Sequence, residues 1–225
     1  MNKKILLQTD NLCFKNKNEQ HWLLEKIAFL VKSGEVHGIT GKSGTGKTTL
    51  LNLLGGLEVA QLGEIELCKQ KIHTLSDDAL SRLRQEKLGF IFQAPNLLPD
   101  FSTTENIALS LIIKGHTYTY AIEKSVHIMK DLDIYQLHNQ SVLSLSGGEK
   151  QRVNIARAII HKPEIIFADE PTGCLDQENA EIVQNMLFSL SQTQGTALVI
   201  VSHDKQFISK TEYAWELKAG GLHSI

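Results

Sequence analysis

Gly41, Gly44 and Gly46 fall within six positions, and Lys47, Thr48 and Thr49 follow at once. Glycines let successive backbone N–H groups turn inward around an anion. A helix that starts there adds its positive end to the same anion. Lys47 can reach the outer phosphates of a nucleotide, and the Thr48 hydroxyl can ligate Mg²⁺. The run fits G-x-x-x-x-G-K-[ST], with Lys42, Ser43, Gly44 and Thr45 as its variable positions. Its flanks agree: Val36 to Thr40 reads as a short buried strand, and Thr49 to Leu54 as a helix. The chemistry implied is binding of a phosphate chain, with the base and the use of the energy left open.

Further candidates follow other apolar runs. Asp169 and Glu170 come after Ile165 to Ala168, which reads as a strand. A carboxylate at the C-terminal end of a parallel strand sits where open α/β sheets bind ligands. Asp169 can hold Mg²⁺ directly or through water, and Glu170 can polarise the water that attacks a γ-phosphate. His203, after Ala197 to Val201, can contact that phosphate and hold the water or Glu170 in place. Gln93, after Leu88 to Phe92, can reach the magnesium or the water. Each of these also has a plain structural reading as a loop residue. Leu145-Ser146-Gly147-Gly148-Glu149 poses a different question. Ser146 reads as the N-cap of a helix from Gly148 to Ile160, with Glu149 completing a capping box. That is either a second anion-binding helix end or simply a well-capped helix.

Elements must hold these residues together. Residues 4 to 9, 27 to 31 and 63 to 67 read as strands at one end of the fold, and Ser76 to Glu86 as a helix capped by Ser76 or Asp77. From Thr103 to Ile160 the apolar spacing is mostly helical, as at Ile122, Val126, Met129 and Leu132. Strand character returns at Ile165, a helix follows around Glu178 to Leu190, and a strand at Ala197. Runs that are apolar throughout suit a largely parallel sheet covered on both faces. The organisation expected is one α/β domain, with its core at about 1–93 and 163–225 and a helical insertion at about 94–162.

Bulk properties narrow the function. The 225 residues, 42% hydrophobic and 21% charged, can bury roughly 70% of the unfolded surface in an ordinary globular fold. A net charge of −2 without a dense basic block disfavours nucleic acid as a partner. Cys13, Cys68 and Cys174 have no metal or redox spacing, which fits a reducing compartment. The apolar run after Met1–Lys4 is too short for a secretory signal peptide, and no stretch nears the ~18 apolar residues of a membrane span.

LSGGEKQR resembles the signature sequence of the ATP-binding cassette (ABC) ATPases. GKSGTGKT is similar to that family's Walker A, Gln93 to its Q-loop, IIFADE to its Walker B with the catalytic glutamate, GCLD to its D-loop and His203 to its switch histidine. The resemblance runs in order over nearly the whole chain. It implies a P-loop NTPase (RecA-like) core with a mostly parallel sheet, an N-terminal antiparallel β subdomain and an inserted α-helical subdomain. It also implies ATP and Mg²⁺ as cofactors and a head-to-tail homodimer. Ser146, Gly147 and Gly148 of one copy would then meet the γ-phosphate held at Lys47 of the other, with Asp176 in the D-loop between them.

Within the family, residues 88 to 111 resemble the branch of lipoprotein-releasing, macrolide-efflux and cell-division cassettes. MNKKILLQTDNLC, LLPDF and QGTALVIVSHD are similar to the lipoprotein-releasing members. That implies an ATPase bound peripherally at the cytoplasmic face of a bacterial inner membrane, working on integral permease subunits of the LolC/LolE kind. Leu97 to Phe101 would help form the groove for a permease helix, or else serve lobe packing. Drug or peptide export, a cell-division role and a soluble regulatory ATPase remain alternatives. The family stacks adenine on an aromatic near the N-terminus. Counting back from the phosphate loop gives Phe14, counting forward from NLC gives Asn16, and Trp22 is a third candidate. Cys174 stands where related chains often carry Asn.

Overall fold

The computed structural model describes residues 3–17 and 19–225. In chain order its elements are β1 (Ile5–Phe14), β2 (Leu24–Lys32), β3 (Val36–Thr40), α1 (Lys47–Leu54), β4 (Leu62–Leu67), β5 (Gln70–Lys71), α2 (Asp77–Lys87) and β6 (Leu88–Ile91). Then come α3 (Thr103–Ile113), α4 (Tyr118–Asp131), α5 (Gly147–Ile159), β7 (Ile165–Asp169), α6 (Gln177–Gln194), β8 (Ala197–Val201), α7 (Lys205–Ser209), β9 (Tyr213–Lys218) and β10 (Gly221–Ser224). A four-stranded antiparallel sheet has the order β2-β1-β4-β5. A six-stranded sheet has the order β10-β9-β3-β8-β7-β6 and is parallel from β9 to β6, with β10 returning antiparallel.

Both faces of the larger sheet are covered, which explains its uninterrupted apolar runs. Along β7, Ile165 and Phe167 turn to one side and Ile166 and Ala168 to the other; along β8, Val199 and Val201 oppose Leu198 and Ile200. The first side packs on α1 through Leu50, Leu51, Leu53 and Leu54, and on the antiparallel sheet through Leu7, Ile27 and Val31. The second side packs on α5, α6 and α7 through Ile155, Ile159, Val183, Leu187 and Phe207. The helices α3, α4 and α5 share a third cluster around Ile107, Ala121, Met129 and Val153. Among the described residues no helix is long and apolar enough to cross a membrane.

Two local expectations change. Strand β1 runs on to Phe14, beyond residue 9, because register shifts and a left-handed Asn11 (φ 49°) let it bend and keep its pairing with β2. The helix expected from Gly148 starts one residue earlier, at Gly147, with Ser146 as its N-cap. The C-terminal β9–β10 hairpin has no counterpart in the expected elements. Its tip places Ala219 and Gly220 at positive φ, 49° and 77°.

Candidate active site

The strand ends converge on a cavity of ≈ 570 Å³. Lys47 reaches it from the first turn of α1, Gln93 from the segment after β6, Asp169 and Glu170 from the end of β7, and His203 from just beyond β8. This is the crevice outside the carboxyl ends of parallel strands. Ser43, Gly44, Gly46, Thr48 and Thr49 complete the phosphate-loop wall.

The loop is a preformed cradle. Gly44 and Gly46 have φ of 78° and 96°, conformations that a side chain would strain. A Cβ on Gly41 would stand 2.6 Å from the Leu217 carbonyl oxygen. Thr45 Oγ1 donates to the Lys42 carbonyl at 2.9 Å and tightens the turn. Lys47 Nζ donates to the Gly41 and Lys42 carbonyls at 2.9 and 3.1 Å, so its ammonium lies across the mouth of the loop. No side chain caps α1 and no acidic residue sits in its first turn. Its free N–H groups and positive end therefore remain available to an anion.

A cation site adjoins the cradle. Thr48 Oγ1 donates to Asp169 Oδ2 at 2.9 Å, whereas Asp169 Oδ1 is buried and has no hydrogen-bond partner. Burial pushes the Asp169 carboxyl above its ordinary range, against the Thr48 hydrogen bond; Glu170 adds to the rise and Lys47 opposes it. A buried carboxylate oxygen without a donor, next to a hydroxyl and beside Gln93, is a hard oxygen set that fits Mg²⁺. One carboxylate suffices, because Mg²⁺ keeps several waters and takes substrate phosphate oxygens.

Glu170 adopts a left-handed backbone (φ 45°), an unusual conformation for a non-glycine residue that is held by its N–H bond to the Val201 carbonyl at 2.8 Å. Its carboxylate accepts from the His203 backbone N–H at 2.9 Å, from Ser202 Oγ at 3.1 Å, and pairs with His203 Nδ1 at 2.8 Å. A nearly buried carboxylate is thus fixed to an exposed imidazole, 12% and 69% exposed respectively. That is an arrangement in which a base is oriented by a second group.

The remaining expected residues lie elsewhere. Ser146 caps α5 with a full capping box: its Oγ accepts from Glu149 N at 3.3 Å, and its N–H donates to Glu149 Oε2 at 2.8 Å. Asp176 caps α6 through the Asn179 N–H at 2.9 Å. Asn179 Oδ1 stands 2.5 Å from where a Gly148 Cβ would be, so any side chain at 148 would have to push the Asn179 amide aside. None of Ser146, Gly147, Gly148 or Asp176 lines the large cavity. Gly147 instead lines a smaller one of ≈ 150 Å³, together with Gln93 and Glu170.

The base-stacking expectation for Phe14 is corrected. Phe14 is buried in the core between the sheets and does not reach the cavity. Trp22 is half-buried under the Lys15 ammonium, 5.4 Å from its ring centroid, and does not line the cavity either. Asn16, Glu19 and Leu23 do. Glu19, Leu23, Ser202 and Asn179 were missed in the sequence, where an isolated polar or aliphatic residue in a loop, or in the first turn of a helix as at Asn179, carries no signal.

Comparison with known proteins gives the family and the fold. The family model described as "ABC transporter" matches residues 24–173. The chain is 43% identical over 224 residues to "Lipoprotein-releasing system ATP-binding protein LolD" of Buchnera aphidicola subsp. Schizaphis graminum, covering 99% of this chain and 98% of that one. It is 41% identical over 212 residues to the protein of the same description from Treponema denticola, covering 94% of each. Among solved structures it is similar to the ATP-binding cassette MJ0796 in a dimeric post-hydrolysis state bound to ADP and Pi, with a TM-score of 0.88, 33% identity and 96% of each chain covered.

Proposed function

The chain belongs to the ABC transporter family of ATP-binding cassettes, and from that premise we propose that it hydrolyses ATP as half of a homodimer that drives permease subunits to release lipoproteins from a bacterial inner membrane. The observation that carries the reading is the meeting of Lys47, the Thr48–Asp169 pair and the Glu170–His203 pair in one cavity.

The roles follow from position. Gly41 to Thr49 cradle the phosphates, with Lys47 exchanging its two carbonyl partners for phosphate oxygens. Thr48, Asp169 and Gln93 would hold Mg²⁺, which when bound neutralises charge on the phosphates. Glu170 takes the proton of the attacking water, and His203 keeps the carboxylate aimed and reaches the γ-phosphate from the exposed side. Asn16, Glu19 and Leu23 border the base, which receives no ring from Phe14.

One chain leaves that cavity open toward solvent. Ser146 to Gly148 are the natural closure from a second copy, since α5 presents a glycine-bared helix end outside its own site. The dimeric state of MJ0796 supports the pairing of two copies. Leu98 and Phe101, at 43% and 38% exposure, offer an apolar surface beside α3 for a helix of a LolC/LolE-like permease. The two relatives described as lipoprotein-releasing system proteins support that cargo over drug export or cell division.

The test is Glu170→Gln. Turnover should fall about 10²–10⁴-fold, the usual contribution of a general base, while ATP binding persists and the loaded chain collects as a dimer. Full turnover in this variant refutes the base. Co-purification from detergent-solubilised membranes, with bound proteins identified by mass spectrometry, separates a lipoprotein-releasing permease from an export permease.

A further inference from the structure

The side chains that hold the Glu170 carboxylate differ sharply in exposure. His203 is 69% exposed at its side chain, whereas Ser202 is 1% exposed. The Ser202 N–H donates to the Ile39 carbonyl at 3.0 Å, which ties the end of β8 to β3. Its Oγ accepts from the Asp204 N–H at 3.1 Å and donates to Glu170 Oε2 at 3.1 Å. A hydroxyl has a single proton, and the Asp204 N–H already occupies one of its lone pairs, so that proton is directed at the carboxylate. Asp204 is itself anchored. Its Oδ1 accepts from the Gln206 and Phe207 N–H groups at 2.8 and 3.1 Å, and Phe207 is buried in the core. The Ser202 hydroxyl therefore reaches Glu170 from the rigid side of the site, and His203 from the side open to solvent.

We propose that Ser202 is the positioning residue of the hydrolytic site: its hydroxyl fixes the plane of the Glu170 carboxylate, so that the lone pair left open is aimed at the attacking water. An ionised carboxylate offers about four acceptor sites. Three are engaged, by Ser202 Oγ, the His203 N–H and His203 Nδ1, which leaves one for a water. The Nδ1 contact is the one given up when the exposed imidazole turns to a γ-phosphate. Two donors then remain, Ser202 Oγ on Oε2 and the His203 N–H on Oε1. One donor on each oxygen sets the orientation of the carboxylate plane. The terminal torsion of a glutamate is otherwise broad, so a single donor would let the group rotate away from the water. Ser202 does not line the cavity of ≈ 570 Å³, so it acts through Glu170 and not on the nucleotide. The role rests on the ATP-hydrolysing function proposed above.

The full purified chain is compared with Ser202→Ala, Ser202→Thr and Ser202→Val in steady-state turnover, with ATP affinity read by calorimetry and folding by thermal melts. Thr keeps the hydroxyl and Val replaces it with a methyl group of similar size, so this pair isolates the hydrogen bond from packing. Expected in Ser202→Ala and Ser202→Val is a kcat about 10- to 100-fold lower, as for a reacting group misplaced by ~1 Å, with KM and ATP affinity within about twofold of the parent chain. Ser202→Thr restores most of kcat. If the void in Ser202→Ala loosens the fold, the Thr and Val pair decides; if Val does not fit, Ser202→Ala decides. In a Glu170→Gln chain, replacing Ser202 costs no further turnover, because the two side chains act as a unit. Undiminished kcat in a folded Ser202→Ala chain, equal losses in Thr and Val, or a loss carried by ATP affinity instead of kcat overturns the proposal while the base stands. Full turnover in Glu170→Gln overturns the base itself, and the role of Ser202 falls with it.

Discussion

Helices α1 and α5 both begin among glycines, yet their first turns are completed in opposite ways. Gly46 opens α1 without a capping side chain or a nearby acid, so the helix end stays unsatisfied and positive. Ser146 and Glu149 close the first turn of α5 with a reciprocal capping box and place a carboxylate in it. The hydrogen bonds from Ser146 hold that carboxyl below its ordinary range. The unsatisfied end needs an anion within its own chain. The satisfied end is already stable and has only Ser146 Oγ and its glycine backbone to offer outward. The two helix ends are therefore not equivalent: in the proposed dimer the first would bind the phosphates and the second would complete the site.

The sharpest attack on that asymmetry is Ser146→Arg. Turnover should fall at least about 10²-fold, as for loss of a transition-state donor, while calorimetry finds ATP affinity intact; normal turnover in a homogeneous preparation would remove α5 from the site. Lys47→Ala attacks the other end. Its charged hydrogen bonds, roughly 1.5–3 kcal/mol in worth, should weaken ATP by about 10- to 150-fold in the same titration, and unchanged affinity would dismiss the cradle.

Asp169→Asn should raise the melting temperature of the nucleotide-free chain while abolishing its magnesium response. The wild-type carboxyl has a raised folded value, so its stabilising contribution is complete below the unfolded value near ~3.9 and is lost as pH rises through the folded one. At pH 7 the buried charge is a cost, and its removal is worth ~2–4 °C per kcal/mol relieved in a chain of this size. The gain should vanish in melts below pH ~4; a gain that persists there would count against the buried charge. The smallest effect is expected from Glu149→Ala, which opens the α5 capping box at about 1 kcal/mol in chemical denaturation and leaves ATP affinity of the isolated chain untouched.

The sequence disclosed these ends unequally well. Lys47 and Thr48 were readable because a phosphate loop is local: strand, glycines, lysine and helix are contiguous. Ser146 was readable as a cap for the same reason. The alternating faces of β7 and β8 were legible only as unbroken apolar runs, since covering both faces erases the period-two pattern that marks a half-exposed strand. Phe14 shows what stays hidden. Leu12, Cys13 and Phe14 are all buried in succession, which strict alternation forbids. The bulged register of β1 against β2 turns the Phe14 ring into the core, and no residue type in that stretch announces it. The Glu170–His203 pair was suspected in the sequence, but its third member, Ser202, is fixed only by the tertiary approach of β8 to β7.

The Asn179 amide nitrogen holds both carboxylate oxygens of Asp176, at 3.1 and 2.9 Å, while its amide oxygen fills the space that a Gly148 side chain would need. The tip of α5 and the turn leading into α6 thereby meet at one side chain. A displacement of either one must move the Asn179 side chain, so a single asparagine links the capped end of α5 to the turn that follows Glu170.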